Sequence, residues 1–201
     1  MRTPEQNQAL RAATRESIEL AAVRAFARHG YAASNIRQIA EEASLSIGSI
    51  YRHHASKEAL FEALLERALT GLAAAAGGLS RDGDPLALAR GFTRAFLTDL
   101  ASDHGPAEFY RVINQGFLTD TPPGTAARLA VGQQALWNAF ADLVRRGQAS
   151  GQFAAGDPVQ LTAYYFAMLS GIATLRLVSE KTPIDSGVDI ALRLLSAEGR
   201  P

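Results

Sequence analysis

Only three residues, Ser44-Leu45-Ser46, separate two short segments of helical periodicity, and no other spacing in the chain limits its fold so tightly. Upstream, Ile36, Ile39, Ala40 and Ala43 share one helical face; downstream, Ser46 can cap a helix that starts at Ile47. So short a turn makes two helices cross steeply, the helix-turn-helix arrangement. Leu45 and Ile50 are then expected to bury against Ile36, Ile39 and Ala40.

Helical spacing continues on both sides, and strand alternation is nearly absent. Ile18, Ala21, Ala22, Ala25 and Phe26 fall at i, i+3, i+4, i+7 and i+8 before Gly30 supplies a stop. Ser34 is expected to cap the second helix, and Ser56 a fourth that starts at Lys57. That fourth helix aligns Leu60, Phe61, Leu64, Leu65, Ala68 and Leu72 and is expected to fade over residues 73–78. Five more helices are expected over about 85–101, 106–117, 123–149, 158–180 and 184–197, four of them with proline near the first turn. The fold class is all-α: an N-terminal three-helix helix-turn-helix head (residues 12–72, motif about 35–54) joined to a six-helix body (residues 73–201).

Twenty basic side chains balance twenty acidic ones, but not evenly along the chain. Residues 1–60 carry seven arginines and Lys57 against six glutamates. The fifteen residues 43–57 hold Arg52, Lys57, two histidines, a tyrosine and four serines, and no acid. On the helix from Ile47, Ser46, Ser49, Arg52 and His53 are expected to face outward, with Gly48 allowing close approach of a surface. Short donors, a cation and no carboxylate suit a DNA groove, because nothing there repels phosphate. Tyr51, Lys57 and Ser34 are the natural phosphate contacts, with Lys57 at the positive end of a helix.

Other functions find less support. The chain has no cysteine, so disulfides and thiolate metal sites are excluded. Adjacent residues on a helix point about 100° apart, so His53 and His54 do not suit one metal ion, and no metal or other cofactor is expected. No nucleophile elbow, phosphate loop or His-Glu-x-x-His motif marks an enzyme. With no apolar leader and no run of about 18 apolar residues, a soluble cytoplasmic protein is expected. The rival reading is a helical carrier or enzyme for an apolar molecule, its head mere scaffolding.

From about Ala12 to Leu72 the chain resembles the TetR (tetracycline-repressor-like) family of transcriptional regulators. The likeness runs through Phe26 and Gly30-Tyr31 closing helix one, Ile36-x-x-Ile39-Ala40 in helix two, Ser46-x-Gly48-Ser49-Ile50-Tyr51 in helix three, and Ser56-Lys57-Glu58-x-Leu60 opening helix four. It departs at Ser44, where the family usually has glycine, and at His54, where a bulky aromatic is common. The resemblance implies a homodimeric, ligand-responsive repressor on a palindromic double-stranded operator. DNA contacts would come from Ser34, Arg37, Ser46, Ile47, Gly48, Ser49, Tyr51, Arg52, His53, His54 and Lys57. A small-molecule effector, hydrophobic or aromatic, would lie among Phe92, Phe96, Phe109, Tyr110, Ile113, Asn114, Phe117, Trp137, Phe140 and Tyr164. Arg111, Asn114, Gln115 and Gln134 would orient it. The last two helices would form the dimer through Leu161, Tyr165, Met168, Leu169, Ile172, Leu175, Val188, Ala191, Leu192 and Leu195.

Overall fold

The computed structural model describes residues 3–102, 106–178 and 187–196, the side chains of Leu177 and Val178 excepted. Nine helices account for most of these residues: α1 (Pro4–His29), α2 (Ile36–Glu42), α3 (Ile47–His53), α4 (Lys57–Leu79), α5 (Pro85–Ala101), α6 (Pro106–Thr119), α7 (Thr125–Ala149), α8 (Pro158–Val178) and α9 (Gly187–Arg193). The all-α expectation is met. Among the described residues the sole β pairing is an isolated bridge between Phe153 and Ser196.

Helix α4 runs past its expected end, and α1 begins well upstream of the Ile18 face. Helix α1 starts at Pro4, where Thr3 accepts from the Gln6 N–H and Gln6 answers the Thr3 N–H, a capping box worth roughly 1 kcal/mol. Helix α4 continues through the alanine-glycine stretch to Leu79 because Arg146 receives its end, donating to the carbonyls of Leu79 and Arg81. Arg176 likewise donates to the carbonyls of Leu100 and Ala101 at the end of α5. Both arginines fill acceptors that a helix leaves open. Of the last expected helix, residues 184–186 and 197 lie outside the described residues.

The chain divides into two compact units: Met1–Ala68 with Glu108–Ala127, and Leu69–Ala107 with Arg128–Pro201. The first unit packs Ile18, Ala22, Phe26, Ile39, Ile50, Leu60, Phe61 and Leu64, all nearly inaccessible. The rings of Phe26, Tyr31 and Phe61 form a triangle with centroids 5.1–5.9 Å apart. The second unit is built on Leu97, Leu100, Phe140, Leu143, Val144, Tyr165, Leu169 and Leu192. Its tightest contact is at Gly147, where a Cβ would fall 2.1 Å from the Phe153 ring. Glycine is required there by space, not by backbone angle.

Candidate nucleic-acid interface

The turn between α2 and α3 is a closely bonded helix end. The Leu45 N–H reaches the Ala40 carbonyl at 2.9 Å and the Ser44 N–H the Glu41 carbonyl at 3.1 Å, the paired bonds of a Schellman motif. Its left-handed position falls on Ser44, with φ of 55°. A side chain there costs roughly 1–2 kcal/mol relative to glycine. The turn thus keeps the glycine-type geometry without the glycine.

Helix α3 then starts on Ser46, whose hydroxyl accepts the Ser49 N–H at 3.1 Å. Helix α2 is capped by Asn35, not by Ser34 as expected. Asn35 and Gln38 exchange bonds of 3.0 Å in a full capping box. Ser34 is buried instead, its hydroxyl donated to the carbonyls of Gly30 and Ala25 at 2.7 and 3.2 Å.

Ile50 is fully buried and fixes the rotation of α3. The surface it leaves outward carries Ser46, Ile47, Gly48, Tyr51 and Arg52, all exposed, Tyr51 by 53%. This face lies about one residue, roughly 100°, round from the expected one. Ser49, only 8% exposed, and half-buried His53 face inward rather than outward. The acid-free character survives this rotation, since no residue of α3 or its cap is acidic.

His54 is buried at the C-cap of α3, so it packs in the head and does not lie on its surface. Its Nε2 has no hydrogen-bond partner and stands 3.8 Å from a Glu19 carboxylate oxygen. Burial, with Arg15 adding, holds its pKa below the ordinary value; Glu19 opposes the shift and His53 adds a little to it. The ring is therefore chiefly a neutral packing group.

The nearby cations differ in how firmly they are held. Arg37 pairs with Glu41 at 3.1 Å on one exposed helix face, and Arg24 and Arg28 approach Glu42 at 3.8 and 3.3 Å. Exposed pairs of this kind contribute about 0–1 kcal/mol and exchange partners cheaply. Lys57 is different: its ammonium is turned inward onto the carbonyls of Tyr31, Ala32 and Ser34.

The expected effector residues are divided between the two units. Phe109, Tyr110, Ile113, Asn114 and Phe117 belong to α6 in the first unit; Phe92, Phe96, Trp137, Phe140 and Tyr164 belong to the second. In the second unit Phe140 stacks on Tyr165 at 4.3 Å and Trp137 on Phe166 at 5.8 Å, with Phe92 6.0–6.5 Å from Phe140, Tyr165 and Phe166. Tyr164 is not in this cluster; it is 68% exposed. Arg111, Asn114, Gln115 and Gln134 are also exposed, so their side chains do not point into the packed interior.

Tyr165, expected on the outer face of α8, is instead fully buried, its hydroxyl 2.6 Å from that of Thr93. Burial pushes its pKa up to about 12, against the pull of the Thr93 bond. Leu169, Ala191, Leu192 and Leu195 are likewise buried, and Leu161, Met168, Ile172 and Val188 half-buried. Of the expected dimer residues Leu175 alone is exposed, at 54%. The outward stripe of α8 runs Gln160, Tyr164, Ala167, Gly171 and Leu175, and Ile190 in α9 and Leu194 just after it are exposed. Asn35, Phe166 and the Thr93–Tyr165 pair were missed; for Asn35 the signal was present, since Asn35-x-x-Gln38 is a capping-box pattern.

Among the described residues no three His, Cys, Asp or Glu side chains gather as a metal site, and no helix is long and apolar enough to cross a membrane.

Residues 18–64 match the family described as bacterial regulatory proteins, tetR family. Among solved structures the chain is similar to SmeT of Stenotrophomonas maltophilia in complex with triclosan (TM-score 0.71, 21% identity, 93% of each chain covered). It is also similar to the fatty acid degradation regulator FadR from Bacillus halodurans (0.70, 19%, 100% of this chain and 98% of that one). A third is the TetR family regulator PfmR from Thermus thermophilus (0.66, 23%, 91% and 99%). These likenesses carry the fold across nearly the whole chain, and the family match carries the head. Residues 18–64 thus form a head of the kind described for bacterial regulatory proteins of the tetR family, and the rest of the chain shares the fold of these solved regulators.

Proposed function

We propose that the chain is a homodimeric repressor of the cytoplasm, released from a palindromic operator by a small, mostly apolar effector. The observation that carries the DNA half is the exposed acid-free face of α3. Ile47, Gly48 and Tyr51 lie where apolar or close contact with bases and sugars is possible, and Ser46 and Arg52 add donors. Arg37 joins them as a phosphate contact because its surface partner is easily exchanged. Ser34, Ser49 and His54 support the face from within and are not themselves contacts.

The dimer half rests on the outward stripe of α8. Small residues at 167 and 171 let a second helix approach, and Tyr164, Leu175, Ile190 and Leu194 leave apolar surface in water unless a second copy covers it. Two heads one helical turn apart, or a multiple of it, would read a two-fold site. SmeT forms a complex with triclosan and FadR is named for fatty acid degradation; both accord with an apolar effector, as does the ring cluster around Tyr165.

A fluorescence-anisotropy titration with duplex DNA from upstream of the protein's own coding region tests this reading. Specific binding that a small apolar metabolite reverses supports it. Indifference to every duplex in dilute buffer refutes it and favours a helical carrier.

A further inference from the structure

The first turn of α4 holds a cation that its place in the sequence would send outward. Lys57 Nζ lies 2.9 Å from the carbonyl oxygens of Tyr31 and Ser34 and 3.4 Å from that of Ala32. It also sits 4.4 Å from the centre of the Tyr31 ring. An ammonium has three N–H donors, and three carbonyls of one loop converge on it. The next residue, Glu58, accepts the Tyr31 hydroxyl at 3.2 Å. Residues 31–34, which lead straight into the Asn35 cap of α2, are therefore fastened to α4 by two side chains in succession.

We propose that Lys57 is a positioning residue for DNA binding rather than a phosphate contact: its ammonium fastens the loop of residues 31–34 to α4 and so sets the tilt of α2 and α3. The proposal rests on α3 being the helix that meets DNA. A phosphate drawing Lys57 outward would strip a donor from the Ser34 carbonyl, on a residue only 3% exposed. Arg37, by contrast, gives up only an exposed carboxylate when it meets phosphate. Charge-assisted bonds to carbonyls are about twice as strong as neutral ones, so the seat is a firm one.

The test uses the full-length protein, the upstream duplex and a series of salt concentrations, with Lys57→Met, Lys57→Arg and wild type compared. Melting curves set the working temperature well below every transition. A compact three-donor seat does not fit a planar guanidinium. Both variants should therefore bind roughly tenfold more weakly, with lines of log affinity against log salt parallel to wild type. A phosphate contact gives the opposite result: Lys57→Arg binds as wild type, and Lys57→Met shows a slope shallower by about 0.9. Affinity equal to wild type in fully folded Lys57→Met overturns positioning and leaves Lys57 a stabilising group only.

Amide exchange in DNA-free protein adds an independent reading. Residues 31–35 should exchange faster in Lys57→Met, and unchanged exchange there overturns the latch. Wild type that ignores the duplex even at low salt defeats the DNA reading, and the positioning role with it. Wild type that binds while the variants match it defeats the positioning role alone.

Discussion

The head and the body solve the same problem by different means. In the head, the two short helices α2 and α3 are held by polar bonds that single residues supply: Asn35 and Ser46 as caps, Ser44 in its left-handed turn, Lys57 in its seat of carbonyls. In the body, α7 and α8 run 25 and 21 residues, and their rotation is set by which apolar face finds a partner. Helix α8 is apolar nearly all round, so its sequence names no single inward side. Local bonds fix the one region; the packing of distant helices fixes the other.

The sharpest way to break this contrast is on α8. Ala167→Arg sets a charge in the middle of the outward stripe, and burying it unpaired at an interface costs several kcal/mol. Sedimentation at micromolar protein should show monomers with a normal helical spectrum. A persistent dimer would move the interface off that stripe.

A smaller effect is expected at His54. Its folded pKa lies below the ordinary value near 6.5, so the unfolded chain takes up a proton that the folded head resists. Stability should be full above about pH 6.5 and fall as pH drops toward the folded pKa. Burial is the main source of that fall, Arg15 and His53 add to it, and Glu19 opposes it. His54→Phe, which keeps a buried ring without the proton site, should flatten the curve of melting temperature against pH. The same slope in the variant would assign it to other groups.

The smallest effect tests the turn. Ser44→Gly should raise the urea midpoint by the equivalent of about 0.5–1 kcal/mol, since relief of left-handed strain exceeds glycine's extra freedom in the unfolded chain. A lower midpoint would mean that the serine hydroxyl contributes more than the strain removes.

These differences follow what the sequence makes legible. The head could be read because its signals are local: a three-residue turn, caps at fixed offsets, Ile39 and Ile50 in register. Even there Ser34 displaced Asn35 as the expected cap, since both are capping residues and only the Gln38 partner decides between them. Tyr164 and Tyr165 show the limit in the body. Both are large, apolar and adjacent, so periodicity alone exchanges them, and the Thr93 hydroxyl that selects Tyr165 lies 72 positions away. Lys57 failed for the same reason, because its acceptors are backbone carbonyls that carry no mark in the sequence.

Arg146 and Arg176 hold carbonyl oxygens at the ends of α4 and α5, partly sheltered from solvent. Mobile ions weaken such bonds far less than they weaken a protein's grip on a polyanion. Sodium chloride can thus serve as a dial that strips nucleic acid away while the helix ends of the body stay fastened. Dissociation by electrolyte can then be measured apart from any release by the proposed effector in one preparation.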